Sequence, residues 1–173
     1  MPDTLPDAES LYAQLRERLR EPLRAPGVAV VGIASGGAWL AERLQADLAL
    51  ANPVGVISVA LHRDDYATRG MSRAAGPTQL PFDVEGREIW LLDDVLYTGR
   101  TIRAAINELF DFGRPRAVRL AVLVDRGERE LPMAADVAVA HCTVARGHVL
   151  ELQRNGAAGA ARFEFSLQDA QPT

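Results

Sequence analysis

Short continuous apolar runs alternate along this chain with stretches whose leucines recur at helical spacing, and that alternation constrains the fold more than any other feature. "GVAVVGIA" (Gly27–Ala34), "VGVISVAL" (Val54–Leu61), "EIWLL" (Glu88–Leu92) and "AVRLAVLV" (Ala117–Val124) are near-continuously apolar, as strands buried on both faces must be. "ADVAVA" (Ala135–Ala140) reads as a fifth strand. Between them lie helical patterns. Glu9 to Arg24 carries Leu11, Leu15 and Leu19, with Pro22 placed to end or kink the helix. Leu40, Leu44 and Leu48 form one stripe. Ile102, Ala105, Ile106, Leu109 and Phe110 mark a third helix, stopped by Gly113-Arg114-Pro115. Strands alternating with helices predict an α/β domain with a mainly parallel sheet. Near the C-terminus "HVLELQ" and "RFEFSL" alternate in polarity around "RNGAAGAA" and predict antiparallel edge strands. Residues 1–8 read as a loose tail.

At 173 residues the chain can bury one full core but not two large ones, and it has neither a repeat nor a linker, so one domain over 1–173 is expected. A net charge of −4 excludes a global positive field for nucleic acid and leaves only a local basic face open. Cys142 is the single cysteine, so no disulfide forms within the chain and a reducing compartment is expected. The acidic "MPDTLPDAES" is no signal peptide, and no apolar run approaches the ~20 residues of a membrane span. A cytoplasmic protein is the expectation.

In open α/β sheets, ligands bind beyond the carboxyl ends of the strands. Two strand-to-helix junctions suit an anion there. At Ala34-Ser35-Gly36-Gly37, small residues allow close backbone approach and a helix follows. On its own this junction reads better as a plain tight turn, since glycine turns before helices are common. At Tyr97 to Thr101, Thr98 can cap a helix, Gly99 allows close approach, and Arg100 and Thr101 add a cation and a hydroxyl. The loop accepts a monophosphate, although a capped helix would look the same.

Asp93-Asp94, between the apolar run and this loop, separates the readings. Adjacent acids at a buried strand's tip are costly unless something pairs with them, and a sugar diol or a developing positive charge does so. A diol and a phosphate held side by side describe a ribose 5-phosphate.

The whole stretch "IWLLDDVLYTGRT" (Ile89–Thr101) resembles the phosphoribosyl-pyrophosphate (PRPP) signature of type I phosphoribosyltransferases. "HRDDYATRG", "PTQLPFDVEGR" and "DDVLYTGRTIRAAINELFDFGRPRAVRLAVLVDRGERELPMAAD" narrow the likeness to the PyrR family of bacterial pyrimidine-operon regulators with uracil phosphoribosyltransferase activity. The likeness runs from about Val30 to Asp136.

That resemblance implies a type I phosphoribosyltransferase fold, with a closing flap at about 62–84 and a small hood from 1–24 and 137–173. It implies an enzyme that converts PRPP and uracil to UMP and diphosphate with Mg²⁺. By resemblance, Asp93 and Asp94 would hold the ribose hydroxyls, and Val95, Leu96, Tyr97, Thr98, Gly99, Arg100 and Thr101 would form the phosphate loop. Ser35, Gly36 and Gly37 would meet pyrophosphate, with Arg63 and Asp64 near it, and Asp64, Asp93 and Asp94 would lie nearest the metal. An acid often precedes Thr-Gly in purine enzymes; Tyr97 stands there and argues against purines. Where the family often carries Lys-Thr-Arg-Gly, this chain has Ala34-Ser35-Gly36-Gly37, without those cations. RNA is a further implied partner, through a basic face to which Arg126, Arg129, Arg16 or Arg18 would contribute, and a homodimer or larger assembly is implied. A nucleotide-sensing RNA-binding regulator with little turnover, or a transferase for another base, are the alternatives.

Other residues carry plainer expectations. His62, His141 and His148 form no metal pattern. Cys142, Trp39 and Trp90 read as packed side chains. "DRGERE" (Asp125–Glu130) reads equally as a charged surface turn or as a contact to a partner or nucleotide.

Overall fold

The computed structural model describes residues 5–59, 76–156 and 161–170. The chain runs through α1 (Ala8–Leu19), β1 (Val28–Ile33), α2 (Gly36–Leu48), β2 (Gly55–Ile57), β3 (Glu88–Leu96), α3 (Arg100–Asp111), β4 (Ala117–Asp125), β5 (Val137–His141), β6 (His148–Asn155) and β7 (Arg162–Asp169). The first five strands form one parallel sheet in the order β2-β1-β3-β4-β5. The alternation of strands and helices therefore predicted the architecture correctly.

Pleating sorts the sheet's side chains into two cores. Val28, Val30, Trp90, Leu92, Ala121 and Leu123 face α1, α2 and the β6–β7 hairpin. Ala29, Val31, Ile89, Leu91, Leu120 and Val122 face α3. Both faces being covered explains why the strands read as unbroken apolar runs. The stripes of α1 and α2 are buried as expected, Leu40 and Leu44 completely; in α3 Ile102, Ala105 and Leu109 are buried, but Phe110 is 50% exposed.

Five expectations change. The first helix ends at Leu19, and Pro22 opens a separate 3-10 turn to Arg24, because proline fits a first turn but not a helix interior. The strand expected over Val54–Leu61 is described as far as Val59, and of that part Gly55–Ile57 is in the sheet; Val56 spends its outer edge on an antiparallel bridge, its N–H and C=O each bonding Gln79 at 2.8 Å. The expected flap falls mostly outside the described residues, but its last part does not behave as one: Val84 is 1% exposed, and Leu80 and Phe82 pack on the α3-side core. The C-terminal strands pair in the expected antiparallel register, Leu152 opposite Phe165, but as a separate sheet and not as edges of the main one. Their alternation puts Leu150, Leu152, Phe163 and Phe165 on one buried face, which packs across α1, α2 and β3. β5 belongs to the main sheet, so the part of the expected 137–173 hood that covers the strand ends begins at β6.

A charged clasp ties α1, α2 and β7 together. Arg43 donates two 2.8 Å bonds to the Glu9 carboxylate, and its guanidinium lies 4.1 Å from the Tyr12 ring centre and 4.9 Å from that of Phe163. The Phe163 N–H donates to Glu9 at 2.6 Å, and the Tyr12 hydroxyl donates to Asp47 at 2.7 Å. The Arg43 bonds hold the Glu9 carboxyl below its ordinary pKa, against the opposing effect of burial. A lowered folded-state pKa contributes stability that is present above the unfolded value, about 4.3, and is lost as pH falls through the folded one. Arg43→Ala is expected to cost about 2 kcal/mol, or roughly 4–8 °C in Tm for a chain of this size. Melting curves between pH 3 and 7 should also show a shallower acid loss in the variant than in the parent.

Candidate active site

In the order β2-β1-β3-β4-β5 the chain turns one way from β1 and the other way from β3, so the β1/β3 boundary is the switch point where such sheets open a crevice. β1 stops pairing with β3 at Gly32 opposite Leu92, whereas β3 continues beside β4 to Leu96 opposite Asp125. The last four residues of β3 thus border the crevice. A cavity of about 580 Å³ lies there, lined by Ser35, Gly36, Asp93, Asp94, Thr98 and Thr101 among others. Both junctions singled out in the sequence, together with the acid pair, meet in this one space. Arg63 and Asp64 lie outside the described residues.

The acid pair differs from the expectation in one respect. Asp93 and Asp94 do not cap the strand but lie within it, with Asp93 opposite Val122. Pleating sends adjacent side chains to opposite faces, which relieves the repulsion expected between them. Asp93 is 3% exposed, and its Oδ1 accepts the Asp94 N–H at 3.0 Å. Asp94 is half-buried on the hairpin side, where its Oδ2 accepts the Leu152 N–H of β6 at 3.1 Å. The hairpin is thereby pinned over the crevice, and Val149, Leu150, Glu151, Leu152 and Gln153 supply its far wall.

The two glycines after Ser35 answer first to packing. A Cβ on Gly37 would lie 2.0 Å from the Leu92 carbonyl oxygen, and one on Gly36 would lie 2.6 Å from the Asp94 carboxyl carbon. Helix α2 therefore begins directly against the backbone of β3, which the plain tight-turn reading accommodates and which also brings its N-terminus to the cavity.

At the other junction Gly99, with φ of 91°, is the residue before α3; Thr98 is one position earlier than a capping residue, and its Oγ1 accepts the Arg100 N–H at 3.3 Å. A neighbouring segment holds this loop by its carbonyls. The Arg126 N–H donates to Leu96 O at 2.9 Å, Arg129 Nη1 to Tyr97 O at 2.7 Å, and the Glu130 and Leu131 N–H groups to Thr98 O at 2.9 and 3.0 Å. Loading the carbonyls from outside is the arrangement that leaves a turn's N–H groups for an anion. Arg100 is held by Glu130 at 2.7 Å, in an exposed pair that screening weakens.

"DRGERE" is thus a brace and not a free surface turn. Arg129 also donates to Met133 O at 2.8 Å and to Asp125 at 2.5 Å. Burial pushes the Asp125 carboxyl up, but the bonds from Arg129 and the Gly127 N–H outweigh it and the pKa is lowered. Arg126 is 5% exposed and lies 4.0 Å over the Tyr97 ring. Arg16 faces Glu17 and Asp47, and Arg18 donates to Ala138 O. The arginines assigned to a basic face are therefore engaged within the fold. Sequence reasoning left "DRGERE" open between a surface turn and a contact to a partner or nucleotide and did not single out Arg126 and Arg129 for the site; the available signal was their place just past the carboxyl end of the strand beside β3.

A second cavity, of about 830 Å³, adjoins the first and is bordered by Asp125, Arg126, His141, Cys142, His148 and Leu150 among others. Arg126 and Leu150 border both. Among the described residues no cluster of three or more His, Cys, Asp or Glu could hold a metal, and no helix is long and apolar enough to cross a membrane.

Comparison with known proteins agrees with this geometry. The profile of the phosphoribosyl transferase domain matches residues 5–152. A bifunctional protein PyrR from Ralstonia nicotianae is 55% identical over 165 residues, 94% of each chain. One from Nitrosococcus oceani is 46% identical over 95% of this chain and 90% of its own. Among solved structures, a hypoxanthine phosphoribosyltransferase from Staphylococcus aureus shares the fold with a TM-score of 0.63 at 17% identity, covering 86% of this chain and 81% of that one. A cavity that joins paired strand acids to a carbonyl-braced loop at a helix start, on a chain this similar to those relatives, places the protein in the phosphoribosyltransferase family, in its PyrR branch.

Proposed function

We propose that this phosphoribosyltransferase moves the ribose 5-phosphate unit of PRPP onto uracil, giving UMP and diphosphate. The observation that carries the reading is the convergence of Asp93, Asp94 and the Thr98–Thr101 loop on one cavity at the β1/β3 switch point. In this reading the carboxylates of Asp93 and Asp94 accept hydrogen bonds from the ribose hydroxyls. Thr98, Gly99, Arg100 and Thr101 form the loop that seats the 5-phosphate at the N-terminus of α3, with Arg100 leaving Glu130 to meet it; of the other residues expected to bind substrate, Val95 and Tyr97 line the cavity, whereas Leu96 is buried in β3. Ser35, Gly36 and Gly37 border the diphosphate, near the start of α2. Uracil enters from the adjoining cavity.

As the bond from ribose C1 to the diphosphate oxygen breaks, C1 gains positive character and uracil N1 attacks it, losing its proton. The protein contributes position and charge: Asp93 and Asp94 lie beside the developing cation, and the hairpin pinned through Leu152 excludes water from it. The donor chemistry fits Mg²⁺: Asp93 and Asp94 are hard oxygen ligands, and this ion is commonly held by one or two carboxylates together with substrate phosphates, not by a full protein cage. Asp93 and Asp94, with Asp64, would hold it through PRPP, and when bound it neutralises charge on the leaving diphosphate.

The test is diphosphate release from PRPP and Mg²⁺ with uracil, cytosine, hypoxanthine or no base. Release that requires uracil supports the proposal; release with another base alone, or with none, overturns it. The relatives' printed description as bifunctional favours a second activity, UMP-dependent binding of pyrimidine leader RNA. Filter binding across salt concentrations should then give an affinity that rises with UMP, and an affinity indifferent to UMP removes that reading.

A further inference from the structure

Arg126 is a buried cation whose hydrogen-bonding capacity is incompletely used. It is 5% exposed, stacks on Tyr97 at 4.0 Å and donates from Nη1 to the His148 carbonyl at 3.3 Å. Its Nε–H has no partner among the described residues, and the adjacent acid, Asp125, is taken up by Arg129 and the Gly127 N–H. Buried donors left unpaired cost about 1–3 kcal/mol, so a group so placed calls for a ligand. The residue borders both cavities.

The second cavity's wall holds another such atom. His148 Nδ1 is buried without a partner among the described residues, while Nε2 lies 3.4 Å from the Asp169 carboxylate. In the tautomer whose Nε2–H meets that carboxylate, the Nδ1 lone pair is left to accept from a donor. Together the two residues present one unused donor and one unused acceptor.

We propose that Arg126 and His148 select the base: Arg126 donates to a ring carbonyl and His148 accepts from the neighbouring ring N–H, so the site takes a base with a cyclic O=C–N–H edge and rejects amino forms such as cytosine. Uracil has that edge. Cytosine presents a bare ring nitrogen where uracil has N3–H, and it would face the His148 lone pair. Sites that hydrogen-bond a polar edge discriminate strongly, because the wrong base leaves buried groups unpaired. The role of Tyr97, exposed at the loop, is to shelve the guanidinium.

This inference rests on the phosphoribosyl-transfer reading, and direct binding separates the two. Calorimetry would compare UMP, CMP and ribose 5-phosphate on the full chain and on Arg126→Met and His148→Asn. Methionine keeps the length of the stem and removes the buried cation; the asparagine amide can both accept and donate. The parent is expected to favour UMP over CMP by between about ten- and a hundredfold. Arg126→Met should lose most of that preference, read as the ratio of UMP to CMP affinity so that a loss common to both, tracked by ribose 5-phosphate, cancels, and His148→Asn should gain CMP affinity. Melting curves confirm folding of each. Equal binding of UMP and CMP by the parent, or a preference untouched in both folded variants, overturns the inference while leaving transfer intact. Absence of binding to UMP and ribose 5-phosphate alike overturns the site assignment, and this inference with it.

Discussion

The double substitution Asp93→Asn, Asp94→Asn is expected to lower phosphoribosyl transfer by about three orders of magnitude, the scale seen when preorganised charge is removed from a transition state. Folding should survive. Asparagine oxygens can still accept the bonds that Asp93 takes from the Asp94 N–H and that Asp94 takes from the Leu152 N–H. What disappears is negative charge beside the carbon that becomes cationic. Because that charge acts mainly in the transition state, kcat should fall more than PRPP affinity. Steady-state kinetics with a melting curve for the same sample check it. Turnover within tenfold of the parent, in a folded protein, would remove these carboxylates from the site.

Gly37→Ala carries the largest expected effect on stability. Its Cβ would lie 2.0 Å from the Leu92 carbonyl oxygen, and both groups belong to backbone that cannot yield without moving α2 off β3. Overpacking at such a contact should cost at least about 3 kcal/mol, or roughly 6–12 °C in Tm. Gly36→Ala makes a different collision: the nearest atoms belong to the Asp94 side chain, which can rotate. That variant should lose activity through a displaced carboxylate while losing less stability. Gly76→Ala, where no atom lies within 4 Å, is the neutral control. Equal Tm for Gly37→Ala and the control would show that α2 and β3 are not packed as described.

The contrast between these glycines bears on what a sequence can convey. The string Ser35-Gly36-Gly37 is compatible with an anion turn, a tight turn or a close helix–strand contact, and no local property separates them. Which one applies depends on Leu92 and Asp94, residues more than fifty positions away that reach the glycines only because β3 lies next to β1. Arg126 and Arg129 were misjudged for the same reason. In "DRGERE" a mixed-charge run looks solvated, and nothing nearby in sequence reveals that Tyr97 and its carbonyl lie within reach. The acid pair was recognised, but the strand was ended before it, since carboxylates lower strand propensity and only pairing with β4 carries the ladder through them to Leu96.

Local pattern was therefore sufficient for the α/β class, the order of the elements, the buried stripes of α1 and α2 and the placement of Asp93-Asp94 beside the Thr98–Thr101 turn. Each of these is written in neighbouring residues, through periodicity, propensity and motif spacing. Assembly settled which face each acid takes, what the glycines touch, where the hairpin lies, and that two arginines brace or border the site. Those are contacts between segments distant in the chain, so they depend on strand order and packing, and a linear string records neither directly.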